Sequence, residues 1–94
     1  MNILVTRTAR RDLTETYDFI ASSNPDAARR VLDQLFEVIR QLAVGDLKRP
    51  EVRLVDGRRA RRWSIAPYRI YYRRSARQIV IVWVYHQARR PIEK

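Results

Sequence analysis

The run Gln78–His86, Gln-Ile-Val-Ile-Val-Trp-Val-Tyr-His, constrains the fold of this chain more than any other stretch. Seven consecutive β-branched or aromatic residues, Ile79 to Tyr85, favour a strand over a helix. Strict alternation sets Ile79, Ile81, Trp83 and Tyr85 on one face and Val80, Val82, Val84 and His86 on the other. Both faces are apolar up to His86, so the strand is predicted inside a sheet, with cover on both sides. On an open edge the same segment would template aggregation. It is much shorter than the about 20 apolar residues that span a bilayer. Its end is polar, with His86, Gln87, Arg89 and Arg90 following directly.

The remaining segments arrange themselves around that strand. Ile3–Thr6 reads as a short first strand. A helix capped by Thr8 is expected to run to about Ala21, with Ala9, Leu13, Tyr17 and Ile20 at helical spacing. Ser22-Ser23-Asn24-Pro25 breaks it, with Asn24 as the next N-cap, Pro25 in the first helical position and Asp26 where the helix dipole favours an anion. The second helix runs to about Ala43 on a stripe of Ala28, Val31, Leu32, Leu35, Phe36, Ile39 and Leu42, and Gly45 stops it. Lys48–Arg59 reads as a polar, irregular connection with a turn at Asp56-Gly57. Ala60–Ile65 and Tyr68–Arg74 alternate as strands on either side of the Ala66-Pro67 turn. The predicted architecture is α+β, ordered β-α-α-β-β-β. A two-helix hairpin packs on one face of an antiparallel sheet, within a single domain spanning residues 1–94. The docking of the first strand is left open.

Charge supplies the second constraint. Lys plus Arg number 20 against 10 acids, and only Lys48 and Lys94 are lysines. Residues 1–47 carry about −1 and residues 48–94 about +11, so the basic half calls for an anionic partner, nucleic acid or an acidic protein segment. Arginine favours planar, bidentate recognition of phosphate or carboxylate. With no cysteine and one histidine, no disulfide framework or N/S zinc site is expected. No metal or cofactor is expected. The N-terminus lacks an apolar segment long enough for a signal peptide, so a cytoplasmic location away from membranes is expected.

Three kinds of site can be built from these residues. The hairpin invites comparison with a helix-turn-helix reader, but the exposed face of the second helix is Arg29, Arg30, Asp33, Gln34, Glu37 and Arg40, mixed in sign. A recognition helix carries its own positive charge. On the sheet, Arg61, Arg62, Arg69, Arg73, Arg74 and Arg77 alternate with Trp63, Tyr68, Tyr71 and Tyr72, a pattern able to grip phosphates and stack bases. Trp63, Tyr68, Tyr72 and Trp83 are expected to pack against the helices, leaving Tyr71 on the arginine face. Lastly, Glu51 as base, His86 as acid and Arg69 as the cation for a phosphorane would suffice for metal-free RNA cleavage if the fold brought them together.

Taken together, these residues resemble the RelE/ParE superfamily of type II toxins. The resemblance runs through Ala9…Asp12-Leu13…Tyr17…Ile20 and Asn24-Pro25-x-Ala27-Ala28. It continues through Trp63…Pro67-Tyr68-Arg69-Ile70-x-Tyr72 to Val84-x-His86-x-x-Arg89. It implies a toxin neutralised by a cognate antitoxin with an acidic, amphipathic C-terminal segment. ParE-type members block DNA gyrase without nuclease chemistry; RelE- and YoeB-type members cut mRNA on the ribosome. Paired lysines of the RelE pattern are missing here, Lys48 being the only one nearby. Pro50-Glu51, Arg69 and His86 are similar to the YoeB pattern, whereas Asn24-Pro25-x-Ala27-Ala28 and His86-x-x-Arg89 look like ParE. The expected activity is gyrase inhibition. Arg61, Arg62, Arg69, Tyr71, Arg73, His86, Arg89 and Arg90 are then contacts to target or antitoxin, and no residue is catalytic. The alternative is a ribosome-dependent mRNA endoribonuclease using Glu51, Arg69 and His86.

Overall fold

A computed structural model describes residues 2–45 and 49–87. Its elements are β1 (Asn2–Val5), α1 (Arg7–Ala21), α2 (Pro25–Val44), β2 (Glu51–Arg53), β3 (Arg59–Ile65), β4 (Tyr68–Arg74) and β5 (Gln78–His86). The five strands form one sheet in the order β1-β5-β4-β3-β2. As the apolar run requires, β5 is interior, with β4 antiparallel on one side and β1 on the other. The β3-β4-β5 meander and the hairpin are as expected. Two features differ: β1 docks parallel to β5, making the sheet mixed, and Glu51–Arg53 pairs with Arg59–Arg61 as an additional edge strand. Three residues of pairing are too few to leave an alternation in sequence.

Helix boundaries follow side-chain hydrogen bonds. Asn24 Oδ1 accepts from the Ala27 N–H at 3.0 Å, and Pro25 opens α2 as its missing N–H allows. For α1 the cap is Thr6, not Thr8: its hydroxyl oxygen accepts from the Ala9 N–H at 3.1 Å and donates to the Val82 carbonyl at 2.9 Å. Thr8 lies inside the first turn. That long-range bond to β5, invisible to local sequence, decides which threonine caps.

Alternation along β5 is interrupted. Tyr72 pairs with Ile81 and Tyr71 with Trp83, so Val82 is an extra residue, a β-bulge. Beyond it the faces exchange. Ile79, Ile81 and Val84 lie under the helices with Ala9, Leu13, Leu35, Val38, Ile39, Leu42, Ile70 and Tyr72. Trp83 and Tyr85, predicted to share a face with Ile79 and Ile81, instead pack on the helix-free side with Leu54, Ala60 and Tyr71. Trp63 and Tyr68 pack partly buried under the hairpin as expected. The bulge and the end of β1 free backbone groups on β5, and α1 collects them. Thr6 takes the Val82 carbonyl, and the buried Asp12 carboxylate accepts from the Val84 N–H at 3.1 Å. Each fully buried aliphatic side chain of the main core contributes about 1.5–3 kcal/mol over an exposed one.

The helical stripes are narrower than predicted. Tyr17 and Phe36 are 42% and 49% exposed, and Val38 takes a core position instead. Among the described residues no helix is long and apolar enough to cross a membrane.

Candidate functional site

The strands β3 and β4 carry the arginines, and their antiparallel register decides which are neighbours. Arg62 lies beside Tyr71, Ser64 beside Arg69, and Arg69 beside Tyr85, all on the helix-free face. Arg73 shares that face one step further along β4. Tyr71, expected among the exposed contacts, is only 1% exposed. The turn between β2 and β3 brings Leu54 onto it, so Tyr71 is a core residue of the second cluster.

Local chemistry holds this turn in place. Gly57 has φ +88°, a left-handed conformation that costs glycine nothing. Asp56 accepts from the Arg58 backbone N–H at 2.9 Å and from Arg58 Nε at 2.7 Å. These bonds, the backbone one foremost, hold the Asp56 carboxyl below the ordinary aspartate range, with the Arg58 and Arg73 charges adding to the effect. The Arg58 guanidinium in turn lies 5.6 Å from the Trp83 ring.

A second group of arginines occupies the helix-side face where β3 and β4 run out beyond α2. Glu51 pairs with Arg61, and Arg61 with Tyr72, so all three share this face, with Arg59 and Arg74 at its end. They line an open cavity of about 290 Å³ together with Ala60 and Arg73. Arg61 Nη1 donates to the Arg49 carbonyl and Arg74 Nη1 to the Gly45 carbonyl, each at 2.9 Å. These two side chains are thereby oriented by backbone at the end of α2 and just before β2. Arg59 reaches Glu51 at 3.4 Å, both exposed, an ion pair of small energetic weight. Nearby, the Arg49 guanidinium stacks 3.8 Å above the Trp63 ring.

The three residues proposed for RNA cleavage are not brought together. Glu51 is on β2 and His86 at the far end of β5, three strands away. Three strand spacings and a four-residue offset along the ladder separate their Cα atoms by roughly 19 Å. Arg69 is on the opposite face from both. His86 stands edge-on to Tyr68, ring centroids 5.2 Å apart, near the helix side of the sheet. Arg89 and Arg90 lie outside the described residues, as does Lys48. Among the described residues no cluster of His, Asp or Glu is placed to hold a metal ion.

Sequence reasoning overlooked Arg49 and Arg59, and counted Arg74 among the phosphate-gripping sheet arginines without carrying it into the target contacts. Arg59 had a usable signal, its position directly after the Asp56-Gly57 turn at a strand start. For Arg49 no local pattern points to Trp63.

The outer side of the helical hairpin is chemically different. Leu13, Thr14, Tyr17, Leu32 and Phe36 line a shallow, mainly apolar groove of about 230 Å³, and Phe19 stands 81% exposed close by in sequence.

The family model described as ParE toxin of type II toxin-antitoxin system, parDE, matches residues 3–91. The chromosomal ParDE TA system from P. aeruginosa contains a chain of the same fold, with a TM-score of 0.69 and 24% identity. The match covers 92% of this chain and 95% of that one. No curated protein matches the sequence.

Proposed function

Since this chain belongs to the ParE toxin family of type II toxin-antitoxin systems, we propose that it poisons DNA gyrase, and that its cognate antitoxin holds it inactive by covering the surfaces just described. The family match over residues 3–91 supports a single toxin domain spanning 1–94. The observation that carries the gyrase reading is the separation of Glu51, Arg69 and His86. Proton transfer needs base and acid within hydrogen-bond reach of one substrate, about 2.6–3.2 Å. A base and an acid with Cα atoms roughly 19 Å apart, and a cation on the opposite face, do not converge on one phosphodiester. The chain then acts by binding, through Arg61, Arg62, Arg69 and Arg73, with Arg89 and Arg90 as further candidates.

The antitoxin segment in this reading is acidic and amphipathic. Its apolar side fits the groove beside Tyr17 and Phe36, and its carboxylates pair with exposed arginines, in the helix-in-groove manner of coupled folding. Gyrase and DNA place the action in the cytoplasm.

One paired experiment tests the reading. The purified chain is added to a gyrase supercoiling assay and to a translating ribosome extract with labelled mRNA. Loss of supercoiling with intact message is the expected result. Cleaved message, restored by His86→Ala, would overturn it in favour of the ribonuclease.

A further inference from the structure

We infer that the cavity at the open end of β3 and β4 is a seat for the phosphodiester backbone of DNA, so that the toxin holds the nucleic acid as well as the enzyme acting on it. The inference rests on the gyrase reading only in its choice of DNA as the polyanion. Three arginines, Arg59, Arg61 and Arg74, share the helix-side face at this cavity, and the one carboxylate residue among its described lining is Glu51. Arg61 and Arg74 are held by the Arg49 and Gly45 carbonyls, so part of the ordering cost of an anion site is met before any ligand arrives.

Chemistry decides between a phosphate backbone and an acidic peptide. An amphipathic peptide requires apolar surface beside the charges. Here the apolar side chains are closed off, Tyr72 being 1% exposed and Ala60 4%. The large exposed apolar side chains Tyr17, Phe19 and Phe36 belong to the helical hairpin and line none of it. Phosphate recognition needs only planar donors and positive charge. The two surfaces therefore divide the partners, apolar hairpin for peptide and cationic sheet end for nucleic acid.

The test is fluorescence anisotropy of a labelled DNA duplex against salt concentration. About three phosphate contacts give a slope of log K on log salt of about −3, roughly a fiftyfold loss of affinity between about 50 and 200 mM salt. Arg59→Gln with Arg74→Gln should flatten the slope by about 2, whereas the lysine pair at the same positions retains it. Both side chains are exposed, so the fold is not at stake, and thermal unfolding of each variant checks this. Glu51→Gln should tighten DNA binding several-fold, while the charge-matched Glu15→Gln on α1 does not. The inference is overturned if Arg10→Gln with Arg11→Gln on α1 flattens the slope as much, since binding would then be diffuse. It is equally overturned if the Arg59 and Arg74 pair matters to the antitoxin and not to DNA. A parallel supercoiling assay separates this claim from the functional one. Inhibition without DNA binding rejects the seat alone; DNA binding without inhibition rejects gyrase alone.

Discussion

The Asp12 carboxylate, in the second turn of α1, accepts a 3.1 Å hydrogen bond from the backbone N–H of Val84, 72 residues later in the chain. It is a buried polar group set among the apolar contacts between helix and sheet, and it receives a strand donor where β1 no longer pairs with β5. Asp12→Ala should therefore destabilise by about 1–3 kcal/mol, the cost of a buried donor left without its acceptor. Asp12→Asn keeps an acceptor oxygen and should lose less. Urea unfolding of the three proteins provides the check, and equal stability of Asp12→Ala and the parent would refute the role.

The two clusters on either side of the sheet should differ in their response to truncation. Ile81→Ala opens a cavity in the enclosed core beneath the helices and should cost about 2–5 kcal/mol. Trp83 is half-buried in the smaller cluster under the Leu54 turn, so Trp83→Ala should cost less than the about 3–5 kcal/mol of an enclosed tryptophan. Equal losses measured by denaturant titration would mean that the bulge at Val82 is misplaced.

Asp56 sets an acid limit on that turn. Its folded carboxyl lies below the ordinary aspartate range, so its contribution is complete above the unfolded value of about 3.9. It is lost as the pH falls through the lower folded value, where protonation weakens acceptance from Arg58. The Arg58 amide resonance should titrate with a midpoint below that of a free aspartate, and the titration should vanish in Asp56→Asn. A midpoint at or above the free value would contradict the hydrogen-bond geometry.

Glu51→Ala and His86→Ala should each retain gyrase inhibition, in contrast to the about 10²–10⁴ loss expected of a proton-transfer group. Arg69→Ala and Arg73→Ala should weaken it. A supercoiling titration of the four variants distinguishes the cases, and a hundredfold loss in His86→Ala would return catalysis to consideration.

Which parts were legible in the sequence follows from the range of the interactions involved. The β5 run, the alternation of β3 and β4, and the Asn24-Pro25 cap are stated by neighbouring residues, and the structure has them where local chemistry puts them. The exchange of faces at Val82 is not local. Alternation assumes an unbroken ladder, and here the extra residue is accommodated because Thr6 and Asp12 satisfy the freed backbone groups from another element. From that one residue come the misplacement of Trp83 and Tyr85. The burial of Tyr71 has a separate cause, because Leu54 reaches it only through the folded β2–β3 turn. The arginine pattern identified a cationic sheet, while the cavity itself depends on register and on the position of Gly45, neither of which composition conveys.

The parallel seam between β1 and β5 also governs when this protein can exist during its own synthesis. Thr6 and Val82 are 76 residues apart, so the ribosome makes one partner of the seam long before the other. At about 5–20 residues per second the N-terminal strand waits several seconds for its neighbour. Until then α1 lacks the strand against which its cap and its buried carboxylate are set. A nascent chain interrupted anywhere before Gln78 lacks the strand that joins β1 to the rest of the sheet and closes the core beneath the helices, and so no folded toxin is released from an unfinished message.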